Sequence, residues 1–271
     1  MRLQIEHHSR YRFTEPQARV VQLLRLFPCD SSNQTVVDWR IDVDCDARLR
    51  ESHDGFGNVV RMLYAEGPLE TIGISVTGEV LLSDTPQPLG AGSEPLPPRY
   101  YLRTTPLSAA DGAMADFARA AAGAGEDTTR IERLAAALHG RFALERRRGG
   151  GVVAAAGAFA GERASPRDLA QMLVGCVRAI GLPARYVSGY SLGGCERRER
   201  PAPHGWAEVF LNGQGWHTVD PTVGGAAGAD YVRVAAALDS AGAAPISGTR
   251  IGFGEEALDV DVAVGVLGGD A

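Results

Sequence analysis

The stretch HGWAEVFLNGQGWHTVDPT holds the side chains best placed for chemistry. His204 opens one strand and Asp220 closes the next, so a hairpin between them sets an imidazole beside a carboxylate. A hydrogen bond from the ring to that carboxylate would fix the tautomer and stabilise an imidazolium, as proton transfer in a nucleophilic site requires. A second stretch, Ser165-Pro166-Arg167-Asp168, reads as a helix start. It has a serine cap, proline at the first helical position and a carboxylate three residues after the cap.

Other chemistries find little support. His7, His8, His53, His139 and His217 do not form a ligand set with metal spacing, and no cofactor is expected. His217 reads as an exposed strand histidine. The glycines at 149–151 and in Leu192-Gly193-Gly194-Cys195 lack the spaced strand-to-helix loop that cradles a phosphate. Cys29, Cys45, Cys176 and Cys195 show no CxxC spacing and read as reduced thiols, with Cys176 a buried apolar residue.

Between Gly161 and Tyr190 the chain reads GERASPRDLAQMLVGCVRAIGLPARYVSGY. This resembles the nucleophile helix of the bacterial transglutaminase-like superfamily. GLPARYVSGY matches the family's stretch unchanged, and counting back places Asp168, Ala170 and Gln171 on its Asp, Ala and His, with Arg163 upstream on a frequent arginine. The same count places Pro166 on the nucleophilic cysteine. A thiolate at that spot would draw on the unpaired N–H groups and macrodipole of the helix N-terminus.

Gly205 aside, the His204 and Asp220 segments resemble the family's His-Ala-Trp-Ala-Glu-Val strand and its Gly-Trp strand ending in Asp-Pro-Thr. The resemblance implies His204 as general base and Asp220 as the residue orienting it. With Pro166 in place of the thiol, it implies a degenerate protein that uses its cleft or surface to bind a peptide or a protein partner. The alternative is a working amide hydrolase or transamidase that uses Ser165, Cys195 or activated water. Ser165 stands one residue from the lost thiol. Cys195 lies in the loop SLGGCERRERPAP with Arg197 and Arg198 nearby.

The fold class expected is α+β: an N-terminal antiparallel β domain, then a papain-like core of helices on an antiparallel sheet. Residues 1–82 alternate like strands around the turn HDGFGN, and DGFGNVV resembles the β domain that precedes many such cores. A Pro/Gly-rich linker spans 83–106, and the core spans 107–271. Helices are expected over Ser108–Ala122, from an Asp127/Thr128 cap, and from Pro166. Strands are expected at 185–190, 205–211, 216–219 and 231–234, with a last core strand at 258–264. Trp206 and Glu208 alternate with Ala207 and Val209, so one face of this strand packs against the core while the other could line the cleft.

The 271 residues carry a net charge of −6, which argues against a nucleic-acid surface. No stretch approaches a membrane span, and MRLQIEHHSRYRF alternates like a strand without the apolar run of a leader, so the expected location is the cytoplasm. Lysine is absent, so the chain cannot supply a lysyl amine for its own crosslinking.

Overall fold

The computed structural model describes residues 1–85, 87–90, 94–145, 151–193 and 203–267. Four strands open the chain: β1 (Arg2–Leu24), β2 (Gln34–Val43), β3 (Ala47–His53) and β4 (Val59–Leu82). β1 is a single long strand of 23 residues. Its inward residues are odd-numbered from Leu3 to Phe13 and even-numbered from Val20 to Leu24. The phase changes at irregularities between Arg12 and Arg19 in the pairing with β4. Pro16, which has no N–H to give a ladder, lies within that interval. A one-residue slip there turns every later side chain to the other face, so both halves of β1 can face a core.

The second part runs α1 (Gly112–Ala122), α2 (Asp127–Arg141), β5 (Ala143–Leu144), α3 (Ala155–Phe159), β6 (Arg163–Ala164) and α4 (Pro166–Ala179). After these come β7 (Ala184–Ser191), β8 (His204–Leu211), β9 (Gly215–Asp220), β10 (Gly225–Ala226) and β11 (Tyr231–Ala237). The last five form an antiparallel sheet in the order β10-β9-β8-β7-β11. α4 lies against β7 and β8, with α1, α2 and α3 also packed on it, so Asp168 to Arg178 are buried all round. This is the α+β arrangement expected.

Several boundaries differ from expectation. α1 begins at an Asp111 cap, whose Oδ1 accepts from Met114 N at 2.8 Å. Ser108 is instead buried before the helix, and its hydroxyl accepts from the buried Arg178 guanidinium. Asp127 is the first helical residue of α2 rather than its cap. The closing strands β12 (Ile246–Ile251) and β13 (Glu256–Val266) do not join the core sheet. β13 runs antiparallel along Leu3–Phe13 and β12 along Arg19–Leu24, completing a six-stranded sheet with β1 to β4. β1 is long enough to offer one edge to both.

The Pro/Gly-rich linker is docked rather than loose. Leu89 exchanges two backbone hydrogen bonds with Trp216 of β9, at 3.0 and 2.9 Å. Glu94 pairs with Arg185, and Tyr101 is fully buried edge-on to Trp216.

The two parts meet along β11. Leu3, Ile5, Val80 and Leu82 pack against Tyr190, Val232 and Val234. Two side-chain amides also close β11's outer edge. Gln34 donates to Arg233 O and accepts from Arg233 N, both at 2.8 Å. Asn58 donates to Ala236 O at 2.9 Å and accepts from Ala236 N at 2.8 Å. Each amide reproduces the bond pair a neighbouring strand would make, so the edge is satisfied without one. The HDGFGN turn presents Asn58 because Asp54 accepts from the N–H groups of Phe56 and Asn58.

Candidate active site: a His–Asp pair at the head of the core sheet

α4 starts as its sequence predicts. Ser165 Oγ accepts from Asp168 N at 3.2 Å, while Asp168 Oδ2 accepts from Ser165 N at 3.1 Å and from Ser165 Oγ at 2.7 Å. Pro166 is the first helical residue, half-buried beside Arg167. The Ser165 hydroxyl is thus engaged as both donor and acceptor within the cap.

His204 and Asp220 meet as the hairpin requires. His204 Nε2 lies 2.6 Å from Asp220 Oδ2, with the imidazole 14% exposed and the carboxylate fully buried. An ionised Asp220 can only accept, so Nε2 carries the shared proton and Nδ1 is left to face outward from the pair. Among the described residues the ring makes no other hydrogen bond. Asp220 accepts three more: from Thr222 N and Thr222 Oγ1, each 2.7 Å from Oδ1, and from Tyr231 Oη, 2.8 Å from Oδ2. Burial works to raise the carboxyl's pKa, but the bonds from His204 and Thr222 outweigh it and hold it below the usual range. Trp206 stacks on the imidazole with centroids 6.1 Å apart and meets the Tyr231 ring edge-on at 5.1 Å.

Gly205 is explained by Tyr186. This ring is buried between β8 and the head of α4, and a β-carbon at 205 would run into its hydroxyl. Burial raises the phenol's pKa. The charge of Arg167 opposes this, while those of Asp168 and Asp220 add to it. The helix start and the His–Asp pair therefore converge on one tyrosine.

Glu208 does not line a cleft. It is buried and locked by Arg185 Nε at 2.6 Å and Arg233 Nε at 3.0 Å, with Arg185 also paired to Glu94 and lying 4.0 Å over the Trp216 ring. Burial alone would raise its pKa, yet the two guanidinium groups hold it low. His217 is half-buried rather than exposed, and burial lowers its pKa. Cys176 is fully buried, with its thiol pushed up to about 12 by burial, which suits packing and not chemistry. Cys195, Gly149, Gly150, Arg197 and Arg198 lie outside the described residues. Among the described residues no group of three metal-ligating side chains occurs.

Thr222, Tyr186 and Tyr231 are the site residues sequence reasoning passed over. Asp-Pro-Thr carried a signal for the first, since an aspartate commonly accepts from the N–H two residues on. Tyr231 carried none, because Asp220 lies on a strand with which β11 does not pair.

This fold is of the transglutaminase-like, cysteine-protease type, and comparison with known proteins agrees. Residues 3–81 match the bacterial transglutaminase-like N-terminal region, and residues 115–221 match the transglutaminase-like superfamily core. The chain belongs to the bacterial transglutaminase-like superfamily. It is 25% identical over 300 residues to uncharacterized proteins of Mycobacterium tuberculosis and Mycobacterium bovis, covering 100% of this chain and 94% of theirs. It shares its fold with a provisionally assigned cysteine protease from Cytophaga hutchinsonii, with a TM-score of 0.73 and 19% identity over 100% of this chain and 92% of that one.

Proposed function

We propose that this is a degenerate transglutaminase-like protein, without thiol acyl transfer, that uses its cleft or surface to bind a peptide or a protein partner. One observation carries the reading: the His204 ring, paired with Asp220, has no hydroxyl or thiol hydrogen-bonded to it among the described residues. Pro166, on the position the family gives to its cysteine, has no atom that could form a thioester. Ser165, the adjacent hydroxyl, is committed to its cap. A fold persists readily after its chemistry is lost. The free thiols Cys29, Cys45 and Cys176 suit a reducing compartment, and we place the protein in the cytoplasm.

The intact His204–Asp220 pair favours a second reading, an amide hydrolase or transamidase that uses activated water or Cys195. An assay of wild type, His204→Ala and Pro166→Cys against amide and glutaminyl substrates separates them. The degenerate reading expects no wild-type turnover and a gain in Pro166→Cys. Wild-type turnover abolished by His204→Ala overturns it.

A further inference from the structure

The carboxylate that holds His204 is shared. Tyr231 Oη donates to Asp220 Oδ2 at 2.8 Å, the same oxygen that accepts from His204 Nε2 at 2.6 Å. Tyr231 is itself paired in register with Ser191, at the far end of β7. The Ser191 side chain stands beside the phenol and works to lower its pKa against the burial and the Asp220 charge that raise it. Tyr231 and His204 both donate to Asp220, and Ser191 stands beside Tyr231. They sit on β7, β11, β9 and β8, at one end of the sheet. The Tyr231 ring also packs against the rings of His204 and Trp206, at 6.0 and 5.1 Å.

We propose that Tyr231, supported by Ser191, is a positioning residue of the His204–Asp220 pair: its phenol holds Asp220 Oδ2 in place and takes part of that oxygen's hydrogen-bonding capacity away from the imidazole. A carboxylate that donors already share is a weaker partner for an imidazolium than an undivided one, so removing the phenol should strengthen the bond between Asp220 and His204. Among the described residues, other charged and titratable groups near the pair include Asp230, which acts on Tyr231, Tyr186 under Gly205, which feels Arg167 and Asp168, and His139, whose Nδ1 lies 3.1 Å from Pro221 O beside Asp220. The Tyr231 bond involves neither Arg167 nor Asp168. It is independent of what occupies position 166 and of any turnover.

The test is an NMR titration of the His204 ring in the full-length protein, with its signal assigned by loss in His204→Gln. Tyr231→Phe keeps the ring contacts and removes only the hydroxyl. The expected result is an imidazolium favoured about tenfold, which moves the His204 midpoint up by about one pH unit. A role confined to packing predicts no movement, and an unchanged or lowered midpoint overturns the proposal. Ser191→Ala, which leaves Tyr231 intact, moves the midpoint in the same direction by a smaller amount. It serves as the deciding variant if Tyr231→Phe fails to fold, and no movement there overturns the proposal as well.

Discussion

The hydroxyl of Tyr186 occupies the space that a side chain at residue 205 would need. Tyr186 belongs to β7 and Gly205 to β8, next to His204, so the glycine is a requirement of close packing between neighbouring strands. Gly205→Ala must displace either the phenol or the backbone that carries His204. We expect a loss of about 1–3 kcal/mol, the usual cost of overpacking. In a Tyr186→Phe background the clashing oxygen is gone and the same substitution should cost less. A double-mutant cycle in urea measures the difference, and equal costs in the two backgrounds would sink the explanation.

A second prediction concerns the seam between the two parts of the chain. Asn58→Ala leaves the N–H and C=O of Ala236 without the partners that close the edge of β11. The expected loss is about 1–3 kcal/mol, the penalty for buried polar groups left unpaired. Gln34→Ala should act likewise at Arg233. Hydrogen exchange at the Arg233 and Ala236 amides provides a local check, because each variant should expose its own amide first.

The seam also predicts an acid response. His7 is buried in β1, with Nδ1 2.9 Å from Tyr190 Oη and Nε2 2.9 Å from Ser9 Oγ. Burial, with a smaller contribution from the charge of His8, pushes it down to about 4 from an ordinary 6.5. Below the ordinary value the unfolded chain takes up a proton that the folded protein refuses, so stability is full above about pH 6.5 and falls until the pH passes about 4. The sum at stake is roughly 3 kcal/mol. Unfolding free energies between pH 7 and pH 4.5 should show this decline. His7→Gln should flatten it, and an identical decline in that variant would exclude His7 as its source.

How far the sequence reaches depends on how local each structural cause is. The start of α4 was legible because Ser165, Pro166 and Asp168 satisfy one helix end among themselves. The His204–Asp220 pair was legible because one hairpin spans it. β12 and β13 were not, since the alternation of Leu258–Val264 would suit any sheet, and β1, their partner, lies at the opposite end of the chain. Proline and glycine between 83 and 106 correctly argue against a regular element over most of that span. They say nothing of Glu94, whose place is set by a guanidinium buried on β7. Tyr231 was out of reach for the same reason: its partner Asp220 is contributed by a strand it does not pair with.

The last prediction separates a cap from a nucleophile at Ser165. Its hydroxyl accepts from Asp168 N and donates to Asp168 Oδ2, so Ser165→Ala strips the first turn of α4 of a bond to its backbone and leaves the buried carboxylate one donor short. The expected cost is about 0.5–2 kcal/mol, as for other caps. Ser165→Asn can still accept from the helix N–H and should recover part of it, although it cannot act as a hydroxyl nucleophile. Thermal melts of the two variants, read beside their turnover of amide substrates, give opposite patterns for the two roles. For a cap, stability falls in Ser165→Ala and partly returns in Ser165→Asn, with turnover unaffected by either. For a nucleophile, turnover is present in wild type and lost in both, whatever happens to the melting temperature.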